Sequence, residues 1–480
     1  MQKISLSALA RFITLLLQEE PQLRTLFSPS KHQDPLSAAA ALGTACLAFG
    51  AGLAAGPACA QAPTPPATTG EGPGPATQPP PAPGTTQPGP TQVPAAPAPS
   101  GTSGPDASAP PAAPAAPPPN YKIQYNGLID GYIQYQANNP HGTLLQTATG
   151  GLYNGAYNAR IKTPTLQLAE INVFNTPKPG GFAFKTTLIA GDIADQNHVN
   201  FNFQTGSSVG SSGEAQLKNI QQLYGSYAFA GVGGGVDVGK FYTPFGYEVT
   251  EANANYNYTR SLDYNIVPFY HAGVRAYTGS YHGLVATGYI VNALFNSATE
   301  GVHSENGKRG LIGQLNYTDP KGKYVAIGSY GYNKDRISGT GVDSKNTVGD
   351  LDLTYNITAN QLVAGEYTYV QLKPEAGLAK TTINGYAAYY RQTLTPKTAF
   401  ALRVSGYQQN LHTDGAKNPK PFEFTGTYEY KPGANFTTRL EYRHDTSNIE
   451  GSYLGSHDTA IGGGSKKNQD LLILAGMFTF

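Results

Sequence analysis

Tryptophan is absent from this 480-residue chain, methionine and cysteine occur twice each, and only 13% of the side chains are charged. After residue 60 there is no run of about 18 apolar residues, and mean hydropathy is −0.33, which excludes a polytopic helical membrane protein. Both cysteines, Cys46 and Cys59, lie before residue 61, so a chain cleaved there has no thiol, disulfide or thiolate metal site. Of the 32 basic and 31 acidic side chains, four and five precede residue 120, which leaves 28 and 26 beyond it. That near-balance offers no basic patch for nucleic acid.

Glycine (57), proline (37) and tyrosine (32) are abundant instead, and 21 of the prolines fall in residues 61–119. The first 60 residues read as an export signal region. An Ala/Gly-rich apolar stretch from Ser37 leads to Gly56-Pro57 and the small-residue pattern Ala58-Cys59-Ala60, and cleavage is expected after Ala60. Residues 61–119 are almost wholly Pro, Ala, Gly, Thr, Ser and Gln. Such a segment cannot bury enough apolar area to offset its ordering entropy, so a disordered, locally extended leader is expected. Its role is either passive or a contact with the cell wall.

Residues 120–480 have the period of a β-strand. Phe422, Phe424, Gly426, Tyr428 and Tyr430 alternate with Glu423, Thr425, Thr427 and Glu429, and Phe400, Leu402 and Val404 alternate with Ala401, Arg403 and Ser405. Sixteen such segments run from 124–135 to 468–480. Their connections alternate between tight turns, such as Asp319-Pro-Lys-Gly322 and Lys431-Pro-Gly-Ala-Asn435, and long polar loops such as 193–216, 243–270 and 446–467. Outer-membrane barrels have this asymmetry, with tight periplasmic turns and long external loops. The fold expected is all-β, a closed antiparallel transmembrane β-barrel of about 16 strands behind a disordered Pro-rich leader. The last strand places Leu472, Leu474, Gly476, Phe478 and Phe480 on one face and ends on an aromatic residue. Phe478 and Phe480 are therefore the expected signal to the barrel assembly machinery.

The stretch Gly239-Lys-Phe-Tyr-Thr-Pro-Phe-Gly-Tyr-Glu248, with Asn257-Tyr-Thr-Arg-Ser261 and His271-Ala-Gly-Val-Arg275, resembles the beta-barrel porin family described as OmpL-like. The resemblance spans most of residues 121–480, does not include the Pro-rich leader, and implies an outer-membrane porin fold without naming a solute. Lys240 and Arg275 lie within these motifs and are pore-lining candidates.

A barrel of about sixteen strands is wide enough for an aqueous channel. Loop 243–270 is the expected constriction, carrying Glu248, Glu251, Arg260 and Asp263. Opposite it, the polar parity of late strands supplies Arg403, Arg439 and Arg443 interleaved with Glu423, Glu429 and Glu441. Acidic loop groups facing a basic wall across water would set up a transverse field. The expected function is passive diffusion of small hydrophilic solutes and ions across a bacterial outer membrane, with no cofactor, no metal and no enzymatic activity. The alternative is an adhesin or structural tether in which the pore is incidental. Expected partners are outer-membrane lipid, the permeating solutes and the assembly machinery; the sequence leaves a homotrimer open. The serine content supports no argument for a catalytic triad, and the spacings Glu300 to His303 and Glu441 to His444 would converge on a ligand only in a helix, since on a strand such residues point to opposite faces.

Overall fold

The computed structural model describes residues 122–142, 157–194, 219–231, 233–295, 306–336, 341–458 and 464–480. The expected export signal and leader lie outside the described residues.

Strands β1 (Gln124–Gln136), β2 (Thr165–Phe174), β3 (Phe182–Ala190), β4 (Ile220–Ala228) and β5 (Gly234–Tyr242) precede the longest described connection. Beyond it come β6 (Tyr270–Thr278), β7 (Leu284–Val291), β8 (Gly310–Thr318), β9 (Tyr324–Arg336), β10 (Asp343–Thr358) and β11 (Gln361–Pro374). The last five are β12 (Thr381–Thr395), β13 (Thr398–Asn410), β14 (Phe422–Gly433), β15 (Phe436–Thr446) and β16 (Asn468–Thr479). Each strand pairs antiparallel with the next, and β1 pairs with β16, which closes the barrel and removes any free sheet edge. The seam runs to the last residue: Gly127 N donates to Phe480 O at 2.9 Å, and Phe480 N returns a bond to Gly127 O at 3.2 Å.

Alternation sets the two faces. Ile129, Ile133, Leu311, Leu315, Leu440, Leu472 and Leu474 are exposed on the outer surface, with Tyr330, Tyr428, Tyr430, Phe436 and Phe478 among the outward aromatic residues. The opposite parity on β13–β15 holds the arginines and glutamates, all buried. A charge on that side avoids hydrocarbon, and this fixes which face turns inward. No helix among the described residues is long and apolar enough to cross a membrane, so crossing is by strands.

Three boundaries differ from the sequence expectation for physical reasons. β2 begins at Thr165 rather than near 160, because Pro164 has no N–H to give a ladder and Lys162 sits at a left-handed φ of 62°. β9 and β10 extend further outward than the apolar alternation, since Lys334, Asp335 and Arg336 continue the ladder against Lys345, Ser344 and Asp343. β16 is apolar on both faces, with Leu471, Ile473, Ala475 and Met477 buried inside. Its inner face meets protein, not water.

Leu474→Arg places a guanidinium on the outward face of β16. Barrel stability is expected to fall by about 2–4 kcal/mol if the position is near mid-bilayer. Urea unfolding from lipid vesicles reads this, and an unchanged midpoint would contradict the assignment of faces.

Candidate functional site, the loop inside the barrel

The connection from β5 to β6 carries two short 3-10 turns, Ala252–Ala254 and Asp263–Ile266, and otherwise has no ladder of its own. Its backbone donors and acceptors must find partners elsewhere. Inward-facing side chains around the wall provide them.

Near β5, the Pro244 carbonyl accepts from Gln314 Nε2 (2.9 Å) on β8 and Ser329 Oγ (2.8 Å) on β9. Gly246 adopts φ 93°, a left-handed conformation that glycine accommodates without strain, and there its N–H donates to Asp350 Oδ2 at 3.0 Å. Tyr247 N donates to Glu366 Oε1 at 2.9 Å, and its ring lies 4.8 Å from that of Tyr389.

The middle of the loop is held by β13–β15. Arg439 donates to the carbonyls of Ala252 (2.7 Å), Asn255 (2.7 Å) and Asn257 (3.1 Å), while its own charge is met by Glu429 at 2.7 Å. Glu441 works in the opposite sense and accepts from Tyr258 N (2.5 Å), Thr259 N (2.9 Å) and Thr259 Oγ1 (2.6 Å). Arg403 pairs with Glu423 on the neighbouring strand at 2.7 Å and with Glu248 of the loop at 2.8 Å, and it also donates to the Thr259 carbonyl. Arg443 donates to Arg260 O at 2.6 Å and pairs with Asp445 at 2.8 Å. Arg260 turns back into the loop, where its guanidinium donates to the carbonyls of Val249, Tyr258 and Thr250.

The far end meets β11, β12 and β13, and Tyr258 reaches across to β1. Leu262 N donates to Ser405 Oγ at 2.8 Å, and Thr368 Oγ1 to Asp263 Oδ2 at 2.5 Å. A Cβ on Gly385 would stand 1.6 Å from Asp263 Oδ1, so only glycine lets the loop lie this close to β12. Tyr258 Oη donates to Asp130 at 2.8 Å. Around these polar contacts Tyr258, Tyr264, Phe269 and Ala252 pack on Leu471, Ile473, Ala475 and Met477, which accounts for the apolar inner face of β16.

Of the twelve charges named for the loop and the wall, ten are buried: Lys240, Glu248, Arg260, Asp263, Arg403, Glu423, Glu429, Arg439, Glu441 and Arg443. Arg403 is joined directly to Glu248, and the loop backbone takes up most of the remaining wall donors. The field expected across water is replaced by contacts at hydrogen-bond distance, because a loop with no ladder needs those partners more than the lumen does. Glu251 and Arg275 are half-buried. Glu251 accepts from Tyr242 Oη, and Arg275 pairs with Asp237 at 2.7 Å while its guanidinium lies 4.9 Å from the Phe241 ring. Lys240 is buried with its ammonium 4.1 Å from the Tyr270 ring. Phe478 and Phe480 stack at 6.4 Å on the outer surface beside the seam.

Sequence reasoning missed Asp130, Asp350, Glu366, Thr368, Ser405 and Gly385. All lie on the inward parity of their strands, which was the available signal, but parity does not name a partner a hundred residues away. Asp263, Asp350 and Glu366 each bring a carboxylate oxygen within 4.8 Å of the others. Those carboxylates accept from Gly246 N, Tyr247 N, Thr368 Oγ1 and Tyr389 Oη, so their evident role is to anchor the loop.

A family model described as "Putative beta-barrel porin-2, OmpL-like" matches residues 122–480. The chain belongs to this family. Its barrel resembles the anion-selective porin from Comamonas acidovorans, at 14% identity over 75% of this chain and 100% of that one, with a TM-score of 0.50. Two further similar structures are the trimer form of OmpT from Vibrio cholerae (11% identity, 75% and 99% covered, TM-score 0.49) and the outer membrane channel DcaP of Acinetobacter baumannii (10%, 75% and 97%, 0.48). At these identities the likeness to solved structures is one of fold. No curated protein matches the sequence significantly. Family and closed sixteen-strand architecture together make this a multi-pass outer-membrane porin barrel. The three motifs that carry the resemblance fall on the end of β5, the clamped part of the loop and β6.

Two outcomes are expected from the clamp. Glu441→Ala leaves two loop N–H groups and two hydroxyls without their acceptor in a buried site, at a cost of about 3–5 kcal/mol; the urea midpoint should fall and the loop should become open to protease, and an unchanged midpoint would count against the clamp. Burial pushes the Asp263 carboxyl up to about 7 from 3.8. A raised carboxyl binds its proton more tightly in the folded state, so its contribution is full below about pH 4 and is lost as pH rises to about 7. Stability should decline over that window in the wild type and decline less in Asp263→Asn; identical profiles would refute the linkage.

Proposed function

We propose that the barrel passes small hydrophilic solutes and ions by passive diffusion, and that loop 243–270 narrows it as a fixed, wall-anchored constriction. One observation carries this reading: the backbone anchors of the loop lie on β8–β15, with β16 and β1 packed against it, whereas on β2–β6 the inward-facing Asn172, Lys185, Tyr224 and Arg275 are only partly buried, beside buried groups such as Thr187, Gln222 and Asp237. Water and solute then run between the loop and the β2–β6 wall. Of the charges expected to line the pore, Glu251 and Arg275 are the ones on that side that retain access.

The three wall arginines act indirectly in this scheme. They position the loop, and the loop sets the bore. Arg403→Gln, Arg439→Gln and Arg443→Gln together should free the loop, raise single-channel conductance in planar bilayers and admit larger sugars in liposome swelling. Arg275→Gln should move the reversal potential in a salt gradient while leaving the size limit in place. Conductance in the wild type that none of these variants alters would refute the constriction. An absence of conductance in the wild type and in every variant would favour the tether or adhesin reading.

A further inference from the structure

Outside the lumen, the extended outer ends of β9, β10 and β11 carry a second charged array. Pairing places Lys345 opposite Lys334 on one side and opposite Lys373 on the other. Three lysines therefore stand in one row across three neighbouring strands. Their parity is that of Tyr330, Tyr332 and Leu351, which are exposed on the outer surface, while Asn333, Ser344 and Leu372 on the opposite parity are buried. The row faces outward, one step beyond Tyr332 toward the long-loop end of the barrel.

Like charges directly opposite each other destabilise a sheet. Two carboxylates offset this in part. Glu375 meets Lys334 at 2.8 Å and Lys345 at 3.7 Å, and Asp343 lies 3.3 Å from Arg336, 3.6 Å from Lys334 and 3.7 Å from Lys308. Four cations, Lys308, Lys334, Arg336 and Lys345, thus share two carboxylates, and the exposed Lys373 adds a fifth positive charge to the row. The side chains of Lys308 and Lys345 are 49% and 51% exposed, so an anion from outside can reach them. Their depth matters as well. Lysine stems lie along the outward surface just past tyrosines, where an ammonium reaches the headgroup layer of a bilayer.

We propose that this row binds the phosphate groups of a phosphorylated glycolipid of the outer leaflet. A soluble anion is disfavoured by the setting: among the described residues the row lies on the outward face beside the exposed Tyr330 and Tyr332, where a lipid headgroup would lie. Anionic lipid, by contrast, is held at this depth by its own acyl chains and meets several cations at once.

The test uses the full barrel refolded into neutral-lipid vesicles doped with lipid A, with the same glycolipid after removal of its phosphates, or with inorganic phosphate added alone. The wild type is expected to melt higher with lipid A than with the dephosphorylated lipid, and to retain lipid A through detergent gel filtration in a salt-sensitive way. Lys334→Gln, Lys345→Gln and Lys373→Gln combined should bind lipid A about 100-fold more weakly. Its melting point in neutral lipid should not fall. Glu375→Gln removes a competing carboxylate and should strengthen retention, which keeps the proposal testable if the triple variant does not fold. Equal stabilisation by the phosphorylated and dephosphorylated lipids, or unchanged binding by the triple variant, would overturn the proposal. So would equal stabilisation by inorganic phosphate, which would assign the row to a soluble anion. The conductance measurements address the lumen and can fail independently of this one.

Discussion

A loop without a ladder of its own can lie inside a barrel only if its backbone groups are bonded, and here inward side chains of the wall bond them. Arginines supply the loop's carbonyls and carboxylates supply its N–H groups, at 2.5–3.1 Å in the clearest cases. Each buried charge also needs a counter-charge, and Arg403–Glu423, Arg439–Glu429 and Arg443–Asp445 supply it along the wall itself. Desolvating such pairs is costly in isolation. The cost is met because each guanidinium serves a carboxylate and a stretch of backbone at once.

This constraint accounts for features that lie far apart in the sequence. Gly385 is small because Asp263 lies against it. β16 is greasy inside because Tyr258 and its neighbours cover it. The loop's backbone partners are consequently concentrated on one side of the barrel, chiefly on β13–β15. In the proposed constriction, a loop fixed to one side of the wall would define the passage on the other.

The fold was readable because a strand's period is two. Glu423 to Tyr430 and Leu471 to Phe480 declare their faces without further information, and the alternation of turns such as Asp319 to Gly322 with long loops sets the end of the barrel to which each belongs. Charge parity likewise put Arg403, Arg439 and Arg443 inside. What alternation could not supply was the distance from those groups to their partners. Glu441 and Tyr258 are 183 positions apart, and nothing local to either states that one will bond the other's backbone. The wall and loop charges were therefore expected to face each other across water. Asp350 and Glu366 went unnoticed for the same reason: an acid on an inward parity looks like any wetted wall group until a loop amide is seen to reach it.

That sequence separation bears on how the molecule is made. The loop precedes by more than a hundred residues the strands that clamp it, and the inner face of β16 is apolar only because the loop is there to cover it. Until β13–β15 arrive, the loop's amides and carbonyls depend on water, and until the loop is seated, closing the seam would leave an oily stripe facing a wet interior. Contacts this remote make folding slow. Seating the loop and zipping the cylinder shut are thus coupled, and a chain caught midway would present an unclosed β1 edge, an exposed greasy final strand and an undocked segment together.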